Sequence, residues 1–598
     1  MPEFEDFADV WTLAIFFPPS FSPEGEEICY VLNAGDLFQV YRQPVDGTEP
    51  RAVTNWSGET PREVVWSPAG DWMAVLADRD GDEFNQVRLI PPAGGSVRKV
   101  TDDPGVQYYL GGFSPDGRWL SYVGNDRERS AQDLLLRDLQ GEEALRFRPE
   151  KGQLFPGRWS PEGRRTTVTE FVHFQQIDVR LVGLDGGDRR LLESDGEGAY
   201  LPGPWTPDGE RFYVISDAGR EFSALYLCSA ADGSLEAVVA PDWDVEGVAA
   251  SRDGRVLAYS LNEDGISRVL IRRNGSEEEA KLPPGVAYQI ALSPDGTRLA
   301  AVVGTATSSP DLYVVNTDTG KVRRLTRTMR RIDPSALGEP ELVQIPNGRG
   351  GHVPGWWYPP RGERPAPVVV SVHGGPMSQE RPEYRYHGMY HYLLSRGCGV
   401  LAPNITGSTG YGRSYTAALN RDLGGVDLAD LRACVEWLRQ RPEVDSERIG
   451  IFGGSYGGYV VLAALSMMPG LFAAGVDVVG PSNLVTLIET GPPTWKITDE
   501  ALIGHPERDR DFLLSRSPVT HAEHIDVPLF IIQGVNDPRV PRSESDQIVQ
   551  ALRARRVEVR YDVYEDEGHG FVRHENRVTS MRDSAEWLIE VLGRPSDG

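Results

Sequence analysis

Ser455 lies at the centre of Gly453-Gly-Ser455-Tyr-Gly457, a G-x-S-x-G stretch. A serine hydroxyl is too weakly acidic to attack a carbonyl alone; it needs a base to take its proton and a carboxylate to orient that base. Asp537, in Gln533-Gly-Val-Asn-Asp537, and His569, in Glu567-Gly-His-Gly-Phe571, follow in that chain order. Upstream, the glycine pair of His373-Gly-Gly375-Pro376 offers a backbone N–H, and the residue after the serine offers the Tyr456 N–H, as two donors for a developing oxyanion. The implied chemistry is acyl transfer, with Ser455 as nucleophile, His569 as general base and Asp537 as its orienting acid.

Competing residues read less well. Asp526 falls at the wrong end of the strand that leads to Asp537, and Asp546 lies on the following helix. His574 comes at the start of the last helix. His387 and His391, spaced i,i+4, read as partners of tyrosines on a helix face, and His521 and His524 precede the amino end of a strand. No metal site and no cofactor are expected.

The chemistry needs a scaffold, and the second half of the chain supplies one. Val368–Val372 and Gly399–Pro403 are continuous apolar runs, as expected of strands covered on both faces. Asp427–Arg439 has helical spacing. The strand Arg448–Phe452, the serine turn and a helix over Tyr459–Met468 follow, then strands at Pro528–Ile532 and Val557–Val563 and a closing helix over Val578–Leu592. Residues 336–598 thus read as a doubly wound, mostly parallel α/β domain with its site at the carboxyl ends of the strands.

The first half has a different pattern. A Ser-Pro-Asp-Gly theme recurs at Phe21–Gly25, Trp66–Gly70, Phe113–Gly117, Trp159–Gly163, Trp205–Gly209, Ala250–Gly254 and Leu292–Gly296. One such peptide is only a tight turn. Seven at a near-constant step of about 45 residues, each followed by a strand-like run, make a seven-bladed β-propeller over 18–335. Residues 1–17 are left as a segment expected to pack on the second domain.

Composition narrows the function. A net charge of −27 argues against nucleic acid as a partner. No apolar run reaches the ~18–20 residues of a membrane span, and the acidic start lacks the basic region of a signal peptide. Four scattered cysteines, Cys29, Cys228, Cys398 and Cys434, form no disulfide or zinc pattern. A cytoplasmic protein is expected, with edge strands leaving room for a homo-oligomer.

A propeller followed by a G-x-S-x-G domain of the α/β-hydrolase type resembles the prolyl oligopeptidase family of serine peptidases over nearly the whole chain. Asn404-Ile-Thr-Gly-Ser-Thr-Gly-Tyr-Gly412, Asp537-Pro-Arg-Val-Pro541 and Gly568-His-Gly-Phe571 carry the resemblance with the serine motif, and His373-Gly-Gly-Pro376 resembles the acylaminoacyl peptidase branch. The resemblance implies hydrolysis of oligopeptides or small blocked amino-acid substrates, releasing N-acylated amino acids. It also implies the Gly375 N–H as the first oxyanion donor, a substrate-binding role for Arg539 and an S1 pocket drawn from Val479–Trp495. Carboxypeptidase, dipeptidyl or prolyl oligopeptidase and carboxylesterase activities fit the same scaffold; so, in a different class, does a binding protein with an inert hydrolase half. Glu142-Glu143 and Glu277-Glu278-Glu279 read as solvated turns rather than as a family-type clamp for a free amino terminus.

Overall fold

The computed structural model describes residues 2–141 and 143–594. Between Thr12 and Arg324, seven consecutive stretches each fold into an antiparallel unit of four or five strands. The fourth and fifth units are joined by a short parallel pairing of Gln176–Ile177 with Gly198–Ala199.

The turn repeat has a structural reason. All seven of its glycines, from Gly25 to Gly296, have φ between 69° and 79°, the left-handed region that glycine enters without strain. Each also sits against the matching turn of the preceding unit: a Cβ on Gly70 would meet Pro23, one on Gly163 would meet Pro115, and one on Gly254 would meet Pro207. Gly25 meets Ser293 and Pro294, so the first unit rests on the seventh and the ring closes.

At the opposite pole, the loops between second and third strands face the C-terminal half. Asp36 and Asp80 pair with Arg573, Gln175 with Asn420, Glu221 with Ser414, Gly265 with Arg381 and Ala306 with His391.

The C-terminal half is built on one eight-stranded sheet, in spatial order Glu341–Pro346, His352–Tyr358, Gly399–Pro403, Ala366–Val372, Val444–Gly454, Ala474–Val478, Leu529–Gly534 and Val559–Tyr564. The first strand pairs antiparallel with the second, and the second antiparallel with Gly399–Pro403; the rest are parallel. Apolar layers cover both faces. Val370, Ile451 and Ile531 look toward the Val426–Arg439 and Tyr456–Met467 helices, while Val369, Phe452 and Phe530 look toward Met389–Ser395 and His574–Leu592.

The short N-terminal helix Phe4–Ala8 joins this second layer. Phe4 and Phe7 pack edge-on against Tyr392, and the Phe7 carbonyl accepts from the Tyr384 hydroxyl at 2.8 Å. Its exit and the propeller's exit then meet at an antiparallel bridge between Val10 and Met329. The four cysteines are buried free thiols. No helix among the described residues is long and apolar enough to cross a membrane.

Candidate active site

Strand Val444–Gly454 delivers Ser455 to the tip of a reverse turn, where φ is 58° and ψ −120° before the helix Tyr456–Met467 begins. The flanking glycines are sterically required. A Cβ on Gly453 would lie 2.4 Å from the Gly457 carbonyl oxygen, and one on Gly457 2.2 Å from that of Val372. The Ser455 N–H donates to the Val478 carbonyl at 2.8 Å, tying the strained turn to the neighbouring strand.

The three sequence-predicted side chains meet here. His569 Nε2 lies 2.9 Å from Ser455 Oγ, and its Nδ1 lies 2.7 Å from Asp537 Oδ2. The other oxygen, Oδ1, accepts the backbone N–H groups of Arg539 and Val540, both at 2.9 Å. The Asp537 side chain is fully buried and that of His569 is 10% exposed. With the Nδ1 proton donated to this buried carboxylate, Nε2 is left as the acceptor facing the serine hydroxyl.

Gly375, with φ at 130°, borders the same space. The loop that carries it is anchored by His373, whose Nδ1 meets the Gly374 carbonyl at 2.7 Å and whose Nε2 meets Ser408 Oγ at 2.8 Å. Burial pushes the His373 pKa down to about 4, so the ring stays neutral. Tyr456 is the first residue of its helix, a position whose N–H has no acceptor within the helix. The Tyr456 hydroxyl donates to buried Asp427 at 2.8 Å, which orients the ring as a cavity wall.

A cavity of about 360 Å³ opens on Ser455 and is lined by both halves of the chain. The C-terminal half contributes Tyr456, Tyr459, Leu484, Leu487, Trp495 and Asp499 among others; the propeller contributes Tyr109, Gln153, Phe155, Phe171 and Phe174. Its wall thus takes in part of Val479–Trp495 and continues beyond it to Ile503. The propeller also buttresses the histidine loop. A Cβ on Gly568 would fall 1.9 Å from the Gly81 carbonyl oxygen, so the two loops touch backbone to backbone. Arg539 lines the cavity, but its Nε donates to Glu83 of the propeller at 2.9 Å and its guanidinium lies 5.8 Å from the Trp495 ring.

Other expectations fare differently. His391 does pack on tyrosines, stacking on Tyr384 at 5.4 Å. His387 shares no helix face with it, because it lies before the helix with φ at 54°. His574 opens the last helix. His521 and His524 sit with Glu523, their ligand atoms within 4.8 Å, on a largely exposed segment that does not border the cavity. Glu277 and Glu279 are exposed and pair with Arg272 and Arg268; Glu142 lies outside the described residues.

Glu83 and the propeller aromatics were not singled out by sequence. Glu83 belongs to a polar turn like many others. Phe174 alone leaves a trace, as an aromatic at a hairpin tip where a polar residue is usual; it is 43% exposed.

Comparison with known proteins agrees with this fold. The model of the prolyl oligopeptidase family matches residues 384–595. Dipeptidyl aminopeptidase BIII of Pseudoxanthomonas mexicana is 31% identical over 96% of this chain and 86% of its own. The acylamino-acid-releasing enzyme of Sus scrofa is 28% identical, over 38% of this chain and 32% of its own. Two solved structures share the fold along the full chain. A puromycin-hydrolysing peptidase of Mycobacterium tuberculosis has a TM-score of 0.85 at 23% identity, covering 97% of that chain. Pyrococcus horikoshii acylaminoacyl peptidase has a TM-score of 0.75 at 22% identity, covering 98%. A propeller closed over an α/β-hydrolase sheet, together with a relative matched at this identity along almost its whole length, places the chain in the prolyl oligopeptidase family of serine peptidases.

Proposed function

We propose that Ser455, His569 and Asp537 hydrolyse short peptides through an acyl-enzyme. The observation that carries this reading is the unbroken hydrogen-bonded series from Asp537 through His569 to Ser455, at the mouth of a cavity that the propeller closes. His569 Nε2 takes the hydroxyl proton as Ser455 attacks the carbonyl carbon. The Gly375 and Tyr456 N–H groups receive the oxyanion, and the imidazolium returns its proton to the leaving amine. Water then repeats the sequence and releases the acyl group. At about 360 Å³ the cavity suits one or two residues rather than a folded chain.

The favoured substrates are N-acylated oligopeptides. The propeller side of the cavity is mainly aromatic, and Glu83, which could hold a free ammonium, is already joined to Arg539. The same pair answers the Arg539 charge that a carboxypeptidase would need. One observation supports a second reading, a dipeptidyl aminopeptidase. Glu83 reaches the site from the propeller, and an α-amine displacing the guanidinium would find a carboxylate there, a reading also favoured by the near full-length relative.

Paired rates for acetyl-alanyl and free alanyl-alanyl p-nitroanilides, with Ser455→Ala as blank, separate the two. Preference for the blocked substrate supports the first reading. Preference for the free amine, lost in Glu83→Gln, supports the second. Activity retained by Ser455→Ala would overturn the mechanism itself.

A further inference from the structure

Among the described residues that line the cavity, one acid is not used by the mechanism. Asp499 lies on the short helix Lys496–Leu502, whose last turn is fixed where the Asp499 carbonyl accepts from Ile503 at 2.7 Å and Gly504 at 3.0 Å. Asp499 lines the cavity with Leu423, Leu484, Leu487, Leu502 and Ile503. The acids that contact the catalytic or cavity-lining residues named above are occupied. Asp537 holds His569 and two backbone N–H groups, Glu83 holds Arg539, and Asp427 holds Tyr456. Asp499 has no such partner: burial is the sole influence on its titration, pushing its carboxyl up to about 7. Desolvating an acid without a partner is unfavourable, and a cation placed beside it relieves that cost.

A scissile carbonyl placed at Ser455, with its oxygen toward the Gly375 and Tyr456 N–H groups, would set the side chain of the acyl residue beside Tyr456 and the wall that includes Leu484 and Leu487. That wall belongs to the C-terminal half, as Asp499 does. The helix that carries Asp499 also touches the propeller, where the Thr498 hydroxyl meets the Val172 carbonyl, so a charge at the substrate's amino terminus is the competing occupant.

Resting on the proposed acyl-enzyme reading, we infer that Asp499 selects substrates whose acyl residue carries a cationic side chain, an ammonium or a guanidinium. The cavity wall that includes Leu484, Leu487, Leu502 and Ile503 is apolar enough to hold the methylene stem of such a side chain, with the charge carried at its end. Arg539, the one cation on the cavity wall among the described residues, does not oppose this, since Glu83 balances it at 2.9 Å.

The test compares p-nitroanilides of lysine, arginine and norleucine, each as acetyl-alanyl-X and as free alanyl-X, for the intact chain and for Asp499→Asn. Norleucine reproduces the lysine stem without its charge. The expected result is that Asp499→Asn lowers kcat/KM for lysine and arginine at least tenfold, leaves norleucine within about twofold, and does so with or without the acetyl group. Equal losses on all three substrates would make Asp499 structural and overturn the inference. A loss confined to free-amine substrates, whatever X is, would overturn it too, by assigning the cation to the amino terminus. An unchanged lysine-to-norleucine ratio would overturn it outright. If Ser455→Ala retained turnover, the acyl-enzyme reading would fall instead, whatever the ratio did.

Discussion

Replacing Asp537 by asparagine probes the catalytic series with the least change of shape. Two backbone donors, the N–H groups of Arg539 and Val540, both 2.9 Å from Oδ1, fix how the new amide must sit. Its oxygen accepts from them, which turns the NH₂ toward His569 Nδ1. Nδ1 then becomes an acceptor, the proton moves to Nε2, and the ring meets Ser455 with a donor where a base is required. Restoring the productive tautomer means flipping the amide. That sacrifices two hydrogen bonds at about 1 kcal/mol each and leaves buried donors facing one another. The floor is therefore about 2 kcal/mol, roughly 30-fold in rate, and the ceiling is the loss of about 10⁴ typical of this substitution in other serine hydrolases. The assay is kcat/KM on the best acetylated p-nitroanilide, with circular dichroism to confirm the fold. Asp537→Ala adds no donor and leaves the imidazole free to adopt either tautomer, so it should turn over at least as fast as Asp537→Asn. A folded Asp537→Asn protein within tenfold of the wild type would refute the tautomer argument.

Three further outcomes are expected. Gly568→Ala should lower kcat at least tenfold by driving its Cβ into the Gly81 carbonyl and displacing the histidine loop, whereas Gly570→Ala, with nothing within 4 Å of its Cβ, should retain most activity. Glu380 is buried and its carboxyl is pushed up to about 7, chiefly by desolvation, with Arg385 opposing. Between the unfolded value near 4.5 and about 7 the native state holds a proton that the unfolded state has lost, so this group lowers stability as pH rises through that window. Glu380→Gln should therefore gain on the wild type by on the order of 3 kcal/mol between pH 4.5 and 8, read from urea midpoints; an advantage equal at both pH values would refute this. Finally, the lysine-to-norleucine ratio of kcat/KM should climb as pH rises through about 7, as Asp499 ionises. His569 serves both substrates and cancels from the ratio. The other ionisable groups on the cavity wall are Tyr109 and Tyr456, which burial raises to about 12 and higher, Tyr459, raised likewise, and Arg539 with Glu83. A flat ratio would count against Asp499.

What could be read from sequence was whatever local backbone chemistry enforces. The Ser455 turn demands Gly453 and Gly457, and the blade turns demand a glycine at each φ near 70°, so both left marks at fixed spacing. Strands announced by apolar runs were found; those that break the pattern were not. Ala474–Val478 carries Gly475, where a Cβ would lie 2.8 Å from Leu465, and Asp477, buried at the sheet's end, so it does not look like a core strand. Glu341–Pro346 and His352–Tyr358, an antiparallel pair at the sheet edge, mix proline and charge into their runs. His387 shows the limit of i,i+4 spacing, since the positive φ at Tyr386 and His387 ends the pattern before the helix starts. Glu83, Phe155, Phe171 and Asp499 were illegible for another reason: they come to the site only where the two halves of the chain meet, and no local signal encodes that.

The propeller's two poles have different freedoms. At one, seven Ser-Pro-Asp-Gly turns lean on one another in a closed circle, so a change in any of them disturbs two neighbours at once. At the other, the connecting loops meet residues of the facing half: Asp36 and Asp80 share Arg573, Glu221 meets Ser414 and Gly265 meets Arg381. The motif that reveals the ring is thus the part least able to drift, and it lies farthest from the substrate. The unpatterned loops can be rewritten one at a time without loosening the circle. Diversification of what such a chamber admits has an open route there, blade by blade, at little risk to folding.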